Sequence, residues 1–421
     1  MFDRDKWQEI FQTLKQNKLR TALTAFGVFW GIFMLIIMLG AGNGLRNAVF
    51  YGFENFATNS AFTWTRRTTM PYKGFDRGRR WNFTNRDMQA LRENIPEIKY
   101  LAPRLQGTSR GSIAKVTRGL QTGDFGIFGD YPDYAKIDPQ KILLGRFIND
   151  FDIQEKRKVA VIGTRVREVL FDKDESPLGK YIDIDGVYFQ VIGVFKPINT
   201  KISFGGNPEE LIYIPFTASQ IAFNFGDMVH YYAITAKDGV PVSVVDKKAR
   251  SLLKQWHRIH PDDDRAIGGF DLEKEVQKVN GLFMGINVLV WIVGIGTLMA
   301  GVIGVSNIML IIVKERTKEI GIKRAIGAQP LNIIGQIILE SVFLTALAGF
   351  AGLMAGVWLL ELIDYVLTSA GGNSEAFRNP EVNFGVALVA LSVIVISGAF
   401  AGLLPAQRAI SIKPIDALRD E

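Results

Sequence analysis

The stretch KERTKEIGIKRAIGA, residues 314–328, decides how the chain is read. It is a charged, helix-patterned segment of roughly four turns. Before it, residues 279–313 carry no charge, and after it an apolar run over 326–360 is broken only by Glu340. About 20 apolar residues cross a bilayer, so either run is long enough. A short charged hairpin therefore links two membrane spans. Its Lys and Arg excess, at Lys314, Arg316, Lys318, Lys323 and Arg324, marks the cytoplasmic side. Ile320, Ile322 and Ile326 add apolar surface, while Gly321 and Gly327 are poor helix formers that permit close approach of another surface. Such a helix is suited to dock onto a cytosolic partner; the simpler alternative is an ordinary positive-inside loop.

Working outward, the chain of 421 residues is long enough for two or three domains. Its net charge of +7 comes from residues flanking apolar runs and from no separate basic arm, which argues against nucleic acid. It has no cysteine, hence no disulfide, thiol catalysis or Cys-based metal site. Residues 1–20 place Trp7, Ile10, Phe11 and Leu14 on one face, the pattern of an amphipathic helix lying on a membrane. Residues 21–45 lack charge and read as an uncleaved first span, held inside by the basic residues before it.

A polar region over 46–280 contains no span and is expected outside. Its two ends match: strand-like 61–66, helix 88–94 capped by Thr84-x-x-Asp87, and strand-like 98–105; then strand-like 229–236, a helix to Trp256 capped by Ser243-x-x-Asp246, and strand-like 266–272. This predicts two β-α-β units forming a split subdomain. Between them, 107–225 reads as an inserted β subdomain, with Asp185-Gly186 as a hairpin turn. The remaining parts are a second span at 281–313, a cytoplasmic helix at 314–330, a third span at 331–363, an outer loop at 364–382, a fourth span at 383–405 and a cytoplasmic tail at 406–421. Gly27 and Gly31, Gly352 and Gly356, and Gly398 and Gly402 are spaced for close helix packing, in part between subunits. The predicted fold class is an α-helical membrane protein with four transmembrane helices plus an α+β extracytoplasmic domain.

Motifs for chemistry are sparse. No Gly-x-x-x-x-Gly-Lys-Ser/Thr occurs. Gly107, Ser109 and Gly111 match a hydrolase pattern without its strand-to-helix context, so a polar turn is expected. His257, His260 and Asp262–Asp264 are too dispersed around Pro261 to indicate a metal site. Glu340 sits about two turns into the third span, where a structural role near the cytoplasmic end is favoured over proton coupling. No catalytic residue and no metal ligand is assigned.

With residues 315–328 in view, the chain resembles the MacB/FtsX-type permeases of ABC transporters. Residues 17–24, Gly145-Arg146-Phe147, 159–163, Leu170-Phe171, 177–180, 402–409 and 413–419 agree with that family's blocks. The resemblance implies a porter-like split β-α-β subdomain bearing the inserted β part. It implies a dimer of permease subunits, homo- or heteromeric, and a cytosolic ABC ATPase dimer that binds the ATP and magnesium, with no cofactor on this chain. A periplasmic adaptor, an outer-membrane channel and membrane lipids are further candidate partners. The coupling residues are then Glu315, Arg316, Glu319, Ile320, Gly321 and Arg324, with Ile320 filling an apolar pocket of the ATPase. Because the chain starts almost at the first span, it is similar to split members whose ATPase is separate. The implied function is an inner-membrane export permease with both termini cytoplasmic. Alternatives are a lipoprotein-releasing permease, an FtsX-like regulator of cell-wall hydrolases and, from another class, a membrane-anchored receptor.

Overall fold

A computed structural model describes residues 18–53, 56–198, 206–369, 377–380 and 384–411. The expected amphipathic helix at 1–20 lies outside these almost entirely, as do most of the outer loop and of the tail. The chain divides into two compact units, Met1–Phe50 with Gly281–Glu421, and Tyr51–Asn280.

In the first unit, α1 (Lys18–Tyr51) carries the first apolar run. The described residues include four helices long and apolar enough to cross a membrane. Lipid offers no partner for backbone amides and carbonyls, so an apolar run of this length closes its own hydrogen bonds as a helix. The glycine pairs then set the packing. A side chain on Gly31 would meet the Leu298 side chain at 3.4 Å and the Thr297 backbone at 3.5 Å. Gly352 abuts the Phe29 backbone, and Gly356 abuts Phe33 and Ile36. Gly402 lies against Ile338 and Ser341, where an added Cβ would meet both at 3.1 Å. Gly27 faces Gly301, and Gly398 faces Val342 and Thr345. All six glycines thus lie at helix contacts within the chain.

The second unit contains β1 (Ser60–Thr65), β2 (Phe83–Thr84), α2 (Asn85–Asn94), β3 (Ile98–Gln106), β4 (Ile113–Arg118) and β5 (Gln121–Asp130). There follow α3 (Tyr134–Ile137), β6 (Gln140–Gly145), α4 (Asp150–Gln154), β7 (Val159–Gly163), α5 (Thr164–Leu170), β8 (Tyr181–Ile184) and β9 (Val187–Pro197). The unit continues with β10 (Leu211–Pro215), α6 (Phe216–Ala222), β11 (Met228–Val229), β12 (Tyr231–Ala236), α7 (Val242–Trp256) and β13 (Ile267–Asp271). Strands β3, β12, β1 and β13 pair antiparallel in that order, so the two β-α-β units interleave as a split motif. Thr84 caps α2 with a capping box closed by Asp87. The matching box expected at Ser243 does not form, because α7 starts one residue earlier behind Pro241. Its free Val242 amide instead donates to the Glu273 carboxylate at 2.7 Å, while Asp246 accepts from Thr63 and Arg250.

The middle strands close on themselves. Their order is β10, β7, β9, β8, β4 and β5, and β5 pairs back onto β10 in parallel. Inward residues such as Val116, Ile127, Ile162, Ile184, Phe189 and Ile214 fill this ring. Burying a large apolar side chain contributes about 1.5–3 kcal/mol. Asp185 and Gly186, both with positive φ, form the expected hairpin turn. One expectation is corrected here. The insertion is not purely β, because α3, α4, α5 and α6 lie within it. Its strands join the split sheet, because Leu105 and Gln106 at the end of β3 pair with Gly129 and Phe128 of β5.

Where these sheets join, Arg104 and Asp130 form a fully buried pair beneath the Tyr134 ring. Asp138, hydrogen-bonded by the Tyr134 hydroxyl at 3.5 Å, is pushed up to about 7 by burial and by the nearby Asp130 charge, against the pull of Arg104.

Two outcomes are expected. Gly402→Leu should lower the thermal stability of the purified chain, whereas Gly281→Leu, with nothing within 4 Å of an added Cβ, should leave it unchanged. Folded Asp138 holds a proton between its ordinary 3.8 and about 7 that the unfolded chain has released. Its stabilising contribution is therefore present at the acid end and lost as pH rises towards 7. Denaturation measured from pH 4 to 7 should show wild type losing stability relative to Asp138→Asn.

Candidate functional site

The segment first expected to be one helix over 314–330 is broken twice. Helix α8 (Leu272–Glu315) is 44 residues long and follows β13 without a linker, so it starts well before the expected residue 281. It ends at Glu315, Arg316 leaves helical geometry, and a separate helix α9 (Thr317–Ala325) follows. Gly327 ends α9 with φ +98: its amide bonds Arg324 O at 3.1 Å and the Ala328 amide bonds Lys323 O at 3.0 Å. That is a glycine C-cap, which needs a left-handed residue, so Gly327 serves the turn rather than the close approach expected of it. Pro330 then opens α10 (Pro330–Ser369), where its missing amide costs nothing.

Charge fixes α9 in place. Arg316 donates Nε and Nη2 to the two Glu319 oxygens, both at 2.9 Å, and Nη1 to Glu340 Oε1 at 3.2 Å. Glu340, 7% exposed on α10, also accepts from Gln336. Burial alone disfavours the charge on Arg316, but Glu319 and Glu340 outweigh it and hold its pKa above the ordinary arginine value. A carboxylate in a span is costly unless paired, and this one is paired. Lys323 adds a bond to Glu319 at 3.0 Å. At the other end, Arg324 donates Nη1 to the carbonyl of Ile410, the last residue of α11 (Phe384–Ile410). A cation there satisfies a terminal carbonyl and complements the helix dipole.

These bonds decide which face looks outward. Ile320 is 8% exposed and packs with Val313, Ile333 and Ile337, so the apolar pocket it fills is the chain's own and not a partner's. Gly321 is buried beside it. Glu315 is exposed. The outward apolar residues are Ile322, 45% exposed, and Ile326, 83% exposed, with exposed Lys318 one turn before Ile322. Residues 316, 320 and 324 share one helical spacing and 318, 322 and 326 share it too, so periodicity alone does not choose between the faces.

The other candidates serve the polar unit. Thr108 and Gly111 form a tight turn, with no strand-to-helix transition around Ser109. His257 bonds Asp87 through Nε2 at 2.9 Å. Asp263 accepts from Thr69 N and Oγ1, both at 2.7 Å.

Comparison with known proteins agrees with this architecture. The MacB-like periplasmic core domain matches residues 21–252, and the FtsX-like permease C-terminal domain matches residues 291–414. The chain is 29% identical to the pyoverdine export ATP-binding/permease protein PvdT of Pseudomonas entomophila, over 98% of this chain and 59% of that protein. It is 29% identical to the macrolide export ATP-binding/permease protein MacB of Bdellovibrio bacteriovorus, over 98% of this chain and 61% of that one. The chain therefore spans about 60% of the length of these relatives. The periplasmic region of MacB from Actinobacillus actinomycetemcomitans aligns with 54% of this chain and 95% of its own, at 18% identity and a TM-score of 0.43. With the core-domain match covering more than half of its residues, the chain belongs to the MacB/FtsX family of ABC transporter permeases.

Proposed function

We propose that the chain is a permease subunit that passes force from a cytosolic ABC ATPase to its polar domain and so drives export of a substrate from the periplasm. The observation that carries this is the clamped helix α9. It is tied by Arg316 to Glu340 on α10 and by Arg324 to the end of α11. Motion imposed on α9 must therefore reach the helix ends around it. Helix α8 runs from Leu272, directly after β13, to Glu315 in one piece, so a push at its Glu315 end is carried along the helix. The ATPase dimer supplies ATP binding and hydrolysis with its own magnesium, a second permease subunit completes the transporter, and an adaptor and outer channel receive the substrate. The ATPase grips Lys318, Ile322 and Ile326, the exposed face of α9, while Arg316, Glu319, Ile320 and Arg324 hold the helix from behind. The export names of the relatives support this direction of work.

Topology is tested first. The chain has no native cysteine. A cysteine at Asp174 should react with an impermeant thiol reagent in spheroplasts, and one at Lys318 only after the membrane is opened. Labelling of Lys318→Cys from outside overturns the arrangement.

Docking is tested by co-purification with the cognate ATPase. Ile326→Asp should leave folding intact and reduce ATPase recovery at least about tenfold, since an interface anchor contributes about 2 kcal/mol or more. Ile320→Asp should instead lower the yield of folded chain, because it buries a carboxylate. Normal ATPase recovery with Ile326→Asp would show that this face is not the dock.

A further inference from the structure

The polar unit also holds a basic cavity that the force-transmission reading does not use. Residues 66–81 carry Arg66, Arg67, Lys73, Arg77, Arg79 and Arg80 against the single carboxylate Asp76. The segment folds back over the C-terminal half of α7. Tyr72 and Phe75 exchange backbone bonds at 3.0 Å around Lys73 and Gly74, which both have positive φ, so Lys73 sits at the tip of a tight hairpin. The hairpin is anchored, because Asp263 takes the Thr69 and Met70 amides, Arg79 donates to the His257 carbonyl, and the Tyr72 ring meets His260 edge-on. Burial works against the Asp263 charge, but the Thr69 and Met70 bonds prevail and keep its carboxyl below the usual range.

Between the hairpin and α7 lies a cavity of about 400 Å³. Lys247, Arg250, Ser251, Lys254 and Gln255 line it from one face of α7, and Tyr72 and Lys73 line it from the hairpin. Asp264 is the one acidic residue in that lining. Asp246 and Asp264 partly neutralise Arg250 and Lys254. Lys73 and Lys247 make no ion pair among the described residues. Lys254 is 8% exposed and gives bonds of 2.7 Å to Pro261 O and Asp264 Oδ1. An ammonium has three donors, so one has no protein acceptor among the described residues. A buried cation with a spare donor, beside two lysines lacking counter-ions, is balanced best by a multiply charged anion.

We propose that this cavity binds a phosphate-type oxyanion carrying two or more negative charges, with Lys73, Lys247 and Lys254 donating to its oxygens. Arg250 adds charge, with three of its five N–H groups already given to Asp246 and the Ile267 and Gly268 carbonyls. The excess of positive charge and the donor-rich lining exclude a metal cation as occupant.

The test is calorimetric titration of the full chain, purified in an uncharged detergent, with pyrophosphate and separately with dihexanoyl-phosphatidic acid, whose phosphomonoester headgroup carries up to two charges. Pyrophosphate should bind at one site per chain. The affinity should fall about tenfold or more in Lys247→Gln and in Lys73→Gln, each removing one charged hydrogen bond, and should weaken as salt is raised. Lys141→Gln, on β6, should bind as wild type. Binding of pyrophosphate alone assigns a soluble ligand. Binding of the phosphatidic acid probe with the same lysine dependence assigns a lipid headgroup. Neither probe binding, or both binding unchanged in the Lys73→Gln/Lys247→Gln double variant with unaltered melting, overturns the proposal.

Discussion

Within lipid, apolar side chains gain little by leaving their surroundings for one another, so helices associate where their backbones can come close. The membrane unit depends on this constraint. Helix α10 presents Gly352 and Gly356 to Phe29, Phe33 and Ile36 of α1, and it receives Gly402 of α11 against Ile338 and Ser341. Helix α8 meets α1 where Gly301 faces Gly27. At one end of the same helices Arg316 reaches Glu340 and Arg324 reaches Ile410. These two bonds are the charged clamp.

That clamp changes what the charged segment is. Its most apolar-looking anchor, Ile320, closes a contact with Val313, Ile333 and Ile337. Its ion pairs engage Arg316, Glu319 and Lys323 within the chain. The exposed face of α9 is narrower, with Lys318, Ile322 and Ile326 on it.

The polar unit shows the same economy of joints. Strand β3 serves the split sheet through Tyr100–Arg104 and the ring through Leu105 and Gln106, so one strand ties both. The buried Arg104–Asp130 pair sits at that tie, where an unpaired partner would be costly. The start of α8 caps α7 through Glu273, and the same helix continues to Glu315.

Much of this was legible in the chain. Uncharged runs longer than a bilayer is thick have one stable form, so the spans followed from composition. The Thr84 capping box, the Asp185-Gly186 turn and the interleaved β-α-β pattern are local, set by residues a few positions apart. Gly27, Gly352 and Gly402 were visible as packing positions, but their partners were not, because a small-residue spacing does not name the helix it meets. What tertiary structure alone decided rests on contacts distant in sequence. Ring closure pairs Leu211–Pro215 with Gly126–Asp130. The N-terminus of α7 takes its cap from Glu273 rather than from Ser243 and Asp246, because the helix starts at Val242 behind Pro241 and the carboxylate that meets the Val242 amide comes from the next helix. The inward turn of Ile320 is set by Glu340, 24 residues from Arg316. Periodicity defines the two faces of α9 equally well; only the ion pair across to α10 selects which one is buried.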